Sequence, residues 1–143
     1  MVSGSWRTHH FANNGFRQFC RDWRPREESS LPVLALHGSL TQSGMWTVIA
    51  ETMSSVRMVC PDQRGFGLSE DPGTDSCAEF AMDALTLAQE LSLQRYVVMG
   101  HSFACSIALE VAAMAAQRAA AVLLVDPVVR IEPAAQAALP ISP

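Results

Sequence analysis

Four short apolar runs, each closing on a turn-forming or polar residue, constrain this chain more than any other feature. They lie at 32–38, 57–62, 96–100 and 121–126. Runs of this length bounded by Gly, Pro or Asp read as buried strands. Segments of helical length separate them, at about 43–55, 78–91 and 103–116. Strands alternating with helices predict an α/β fold built on a mostly parallel sheet with right-handed crossovers. Ahead of the first run, Asn13-Asn14-Gly15 is a hairpin-turn signal between a short leading stretch and residues 16–23. An antiparallel hairpin at one sheet edge is therefore expected.

Residues 24–31 form a polar connector, so 1–130 reads as one core domain. Residues 131–143 hold three prolines and little to bury, and are expected to form an extended or partly ordered tail at the place where a cap or lid would begin. With 143 residues, 49% of them hydrophobic, one core is well supplied.

The formal charge of -4 is spread without blocks, which leaves no electrostatic footprint for nucleic acid. Cys20, Cys60, Cys77 and Cys105 form no CxxC pair and have no histidine at ligand spacing. Neither a metal site nor another cofactor is expected. The first residues lack the apolar core of a secretory signal. The longest apolar stretch, 111–129, is broken by Gln117, Arg118 and Asp126, too soon for a membrane span. Free thiols in a reducing cytoplasm, away from any membrane, are the expectation.

Gly100-His101-Ser102-Phe103-Ala104 follows the third apolar run and precedes a helix-like stretch. A serine at a tight strand-to-helix turn has its hydroxyl lifted clear of the sheet, and the amides that open the helix face any developing oxyanion. Gly100 and Ala104 are small enough for that turn. The alternative role for Ser102 is to cap the helix that begins at Phe103. A serine nucleophile needs an imidazole to take its proton, yet no histidine follows Ser102 in the sequence.

Together with Leu36-His37-Gly38-Ser39 after the first run and Pro61-Asp62-Gln63-Arg64-Gly65-Phe66-Gly67-Leu68-Ser69 after the second, this pentapeptide makes residues 13–126 resemble the α/β-hydrolase superfamily. The resemblance implies that Ser102 is the nucleophile. It also implies that the oxyanion amides belong to Phe103 and to Ser39, with Leu40 the neighbouring alternative. The 61–69 segment is then a structural turn in which Asp62 and Arg64 can pair. It is not a phosphate cradle, because no helix N-terminus with a following lysine accompanies it.

By the same resemblance Asp83 is a structural acid, His37 and His101 organise loops, and Asp126 is either the triad acid or a strand-ending turn residue. His9 and His10 read as exposed and inert. Cys105, where many relatives carry glycine, reads as a packed thiol. The family orders its triad as nucleophile, acid, histidine. The fold is therefore expected to be truncated after about the sixth strand, with acid and base supplied from beyond residue 143.

The function implied is a serine-dependent hydrolase of carboxylic esters or related acyl compounds, working through an acyl-enzyme and inactive as this fragment. Haloalkane dehalogenases and epoxide hydrolases use an aspartate where Ser102 stands. The alternatives are a non-catalytic remnant that binds a ligand or protein, or a chain completed by a separate one that brings the histidine. The partners expected are a small-molecule acyl substrate and further copies of the chain through the open edge at 121–125, with lower stability than a complete relative.

Overall fold

The computed structural model describes residues 4–28, 30–53 and 55–128. β1 (Gly4–Asn13) and β2 (Phe16–Pro25) form the antiparallel hairpin, with Asn13 opposite Phe16. Asn14 and Gly15 take φ of 45° and 90°, the two positive values that a tight hairpin turn requires. β1 is far longer than the short leading stretch read from the sequence. Trp6, His9 and Phe11 point partly inward between more exposed neighbours. The spacing of three between Trp6 and His9 moves the half-buried side to the other face, and with polar His9 there the alternation that marks a half-buried strand was hidden.

β3 (Val33–Leu36), β4 (Met58–Pro61), β5 (Tyr96–His101) and β6 (Ala119–Val125) complete a six-stranded sheet in the order β1-β2-β4-β3-β5-β6. β2 pairs antiparallel with β4, and the remaining contacts are parallel. This is the mixed sheet that the sequence predicts. The 131–143 tail lies outside the described residues.

A short 3-10 turn (Ser43–Trp46) leads into α1 (Thr47–Thr52), while α2 (Cys77–Glu90) and α3 (Ala104–Met114) follow β4 and β5. Leu34 and Leu36 face the core that Phe80, Leu87, Ile107 and Val111 fill from α2 and α3. Val33 and Ala35 point the other way, onto Trp23, Trp46 and Met58. Burial on both faces explains why the central strands read as unbroken apolar runs. Ser76 and Glu79 form a reciprocal capping box that fixes where α2 begins.

One buried charge cluster departs from expectation. Asp22 is fully buried and accepts from Arg57 at 2.9 Å and 2.9 Å and from Arg24 at 2.8 Å, with His9 Nε2 at 3.4 Å. His9 is thus not an inert surface residue, because the long β1 carries it over β2. At the other edge, β6 leaves Leu123, Leu124 and Val125 exposed at 49%, 43% and 39%. Among the described residues, no helix is long and apolar enough to cross a membrane.

Candidate active site

Ser102 stands between the end of β5 and the start of α3 with φ at 56°. A left-handed conformation costs a non-glycine residue about 1–2 kcal/mol and persists only where the surroundings enforce it. Here the Ser102 N–H donates to the Val125 carbonyl at 3.0 Å, and its own carbonyl accepts from Cys105 N–H at 3.0 Å. Gly100 makes the bend feasible. A Cβ there would collide with the Ala104 carbonyl and come within 2.9 Å of Cys105 Cα. The N-cap of α3 is Phe103, and no side chain caps it, so the Ser102 hydroxyl is not spent on capping.

The turn after β3 presses against the elbow from the side. A Cβ on Gly38 would lie 2.5 Å from His101 Nδ1 and 3.3 Å from Ser102 Cβ. Glycine therefore lets the two turns touch, and it brings Ser39 alongside Ser102. Leu40, the alternative donor, has φ of 58° and a side chain 98% exposed. Neither the Ser39 nor the Phe103 amide donates to a described backbone acceptor. Two uncommitted N–H groups on facing turns can hold an oxyanion.

A buried polar network holds these turns. His37 Nε2 accepts from the Gln63 N–H at 3.0 Å, so Nδ1 carries the proton and donates to the Gly38 carbonyl at 2.8 Å. Gln63 Nε2 returns a bond to the His37 carbonyl at 2.7 Å. Burial pushes the His37 pKa down, only partly offset by its bond to Gly38, which keeps the ring neutral. With both nitrogens engaged, His37 cannot take a proton from Ser102. His101 turns Nδ1 toward Gly38, where it is buried without a partner among the described residues.

Asp62 accepts from the Ser43 and Leu68 amides, each at 2.8 Å. Because its oxygens serve backbone amides, the expected Asp62–Arg64 pair does not form. Arg64 turns beneath α2 instead and binds Asp83 through two hydrogen bonds of 2.6 Å and 2.9 Å. Gln63 was missed by sequence reasoning, since an amide between an acid and an arginine carries no pattern of its own.

Asp126 follows Val125, the strand end that anchors the Ser102 amide, and is exposed with φ of 49°. The pairing of His101 with Val125 sets Asp126 next to the elbow. Cys105 is buried and donates to the Gly100 carbonyl at 3.1 Å, and burial pushes its thiol pKa up, away from nucleophilic use. A cavity of ≈ 410 Å³ opens between Ser39 and Phe103, walled by Phe66 and Phe80.

Residues 32–141 match the model of the alpha/beta hydrolase fold family. The chain is 30% identical over 105 residues to Lipase LipV of Mycobacterium tuberculosis, covering 70% of this chain and 38% of that protein. It is 34% identical over 101 residues to Haloalkane dehalogenase 2 of Mycobacterium bovis, covering 68% and 35%. The solved thioesterase domain from the curacin biosynthetic pathway superposes with a TM-score of 0.81 at 24% identity, over 94% of this chain and 51% of that one. The chain thus spans well under half of the curated relatives' length. With the family match running from β3 through β6 and over more than half of the chain, this chain belongs to the α/β-hydrolase fold family.

Proposed function

We propose that these residues form the nucleophile half of a serine hydrolase acting on carboxylic esters or related acyl compounds through an acyl-enzyme. The observation that carries this reading is Ser102 held at φ of 56° with an unspent hydroxyl between two turns whose amides are also unspent. Serine attacks the acyl carbon, and the Ser39 and Phe103 amides stabilise the oxyanion. Removing one such donor typically costs about 3 kcal/mol of barrier. The likeness to a lipase supports an ester substrate. Serine at the elbow counts against the chemistry named for Haloalkane dehalogenase 2.

The imidazole is to come from outside these 143 residues, with Asp126 or a later residue as the acid. A second reading, a ligand-binding module without turnover, draws support from His37 having both ring nitrogens bonded. Ester cleavage separates the two. With p-nitrophenyl acetate, the hydrolase reading expects slow p-nitrophenol release with an acetyl group accumulating on Ser102 by intact mass, both lost in Ser102→Ala. Cleavage that survives in Ser102→Ala refutes it. Without its base, an enzyme of this kind retains only about 10³ to 10⁴-fold acceleration over water, so turnover is expected to be slow.

The same reading places the protein in the cytoplasm, in keeping with four free cysteines. It also includes self-association through the β6 edge, whose exposed Leu123, Leu124 and Val125 favour pairing.

A further inference from the structure

The cavity lined by Ser39 and Phe103, the two residues whose amides are read as oxyanion donors to the Ser102 site, has a chemical character that the general ester reading leaves unused. The Phe103 ring lies 6.3 Å from Phe66 and 5.7 Å from Phe80, so an aromatic wall begins at the residue that follows the nucleophile. Asp71 and Asp75 line the same cavity and are exposed. Arg64 is its one cationic lining residue among the described residues, and its Nε, Nη1 and Nη2 each already donate within the chain. Nε and Nη2 donate to Asp83 at 2.6 Å and 2.9 Å, Nη1 donates to Thr74 Oγ1 at 2.9 Å, and Glu79 stands 3.3 Å away.

Hydrogen bonds from Thr74 and Ser76 hold the Glu79 carboxyl at about 2, so it is ionised at neutral pH. One arginine is thus outnumbered by four carboxylates, Asp71 and Asp75 on the cavity lining and Glu79 and Asp83 paired with Arg64 itself. Aromatic faces attract apolar rings and cations, and an arginine already forked onto a carboxylate has no pair of donors left for a ligand's carboxylate.

We propose that this cavity accepts a ring-bearing acyl group that is neutral or positively charged and rejects one that carries a carboxylate. The inference rests on the reading of Ser102 as the acyl-transfer site.

The test is equilibrium binding to the whole chain, followed by backbone-amide NMR. The probes are 3-phenylpropylamine, 3-phenylpropanamide, 3-phenylpropanoate and the ring-free hexanamide. At low salt the amine is expected to bind about tenfold tighter than the carboxylate, with the gap closing as salt rises. The phenyl amide is expected to bind at least threefold tighter than hexanamide, with shifts centred on Phe103 and Phe66.

Asp71→Asn with Asp75→Asn is expected to bring amine and carboxylate within about threefold. Asparagine keeps the oxygen that accepts from Gly73 N–H at 2.8 Å, so the loop survives. Carboxylate binding equal to or tighter than the amine overturns the proposal. So does hexanamide matching the phenyl amide, and so does no saturable binding of any probe. A lost charge preference with Ser102-dependent acylation intact sinks the cavity proposal alone. An intact preference with Ser102-independent ester cleavage sinks the acyl-transfer reading and leaves a binding cleft.

Discussion

The turns after β3 and β4 and the outer strand β6 brace the same serine, but they are built differently. On the first side a network of side-chain to backbone hydrogen bonds ties the turns together, although Ser43 Oγ, Gln63 Oε1 and His101 Nδ1 are buried without a partner among the described residues. His37, Gln63 and Asp62 knit two turns together through bonds of 2.7–3.0 Å. On the second side, β6 gives Ser102 one backbone acceptor, Val125, while its own outer surface shows Leu123 and Leu124 to solvent. The elbow is thus fixed on one flank by a buried hydrogen-bond network and on the other by a strand whose burial depends on what covers it. The difference teaches that geometry at the nucleophile is local, whereas durability of the sheet edge is not.

The largest blow to the braced flank is Gly100→Val. Its side chain would meet the Ala104 carbonyl and Cys105 Cα, and a loss of more than about 3 kcal/mol is expected, read as unfolding at a lower urea midpoint. Asp62→Ala comes next. It strands the Ser43 and Leu68 amides, one buried and one partly so, for about 2–4 kcal/mol by the same measurement. A loss under 1 kcal/mol would show that the network is dispensable.

The third effect depends on pH. Burial lowers the folded pKa of His37 below its unfolded value of about 6.5, so the unfolded chain binds more protons in mild acid. The stability that neutral His37 contributes is complete above that value and lost as pH falls below it, by at most about 1.4 kcal/mol per pH unit. Denaturation midpoints measured from pH 7.5 to 5 are expected to fall in the parent and to flatten in His37→Asn. Equal slopes would contradict the neutral buried ring.

Smaller still, and opposite in sign, Ser102→Gly relieves a left-handed serine and is expected to stabilise by about 1 kcal/mol while abolishing acylation. On the open flank, Leu123→Glu should change folding stability by less than about 0.5 kcal/mol yet reduce concentration-dependent association in sedimentation. If Leu123→Glu associates as the parent does, the β6 edge is not the contact.

The strands at the centre were legible because burial on both faces leaves a run of apolar residues that nothing else in a chain produces. The elbow was legible as a motif, since a glycine two residues before a serine at a strand end answers a steric demand. β1 was not, because its half-buried positions switch face between Trp6 and His9, and two of those on the second face, His9 and Asn13, are polar. The partner of Arg64 was equally hidden. Whether it meets Asp62 or Asp83 depends on which carboxylate the backbone amides have already claimed, and that is settled only when three loops meet.

The most direct test of the site is a crystal structure of the chain treated with a p-nitrophenyl alkylphosphonate, whose phosphorus mimics the tetrahedral acyl intermediate. Phosphorus is expected to be bonded to Ser102 Oγ, with one phosphonyl oxygen about 2.7–3.1 Å from the amides of both Ser39 and Phe103. An oxygen turned away from those amides, or a phosphonate on a different residue with Ser102 unmodified, would contradict this placement.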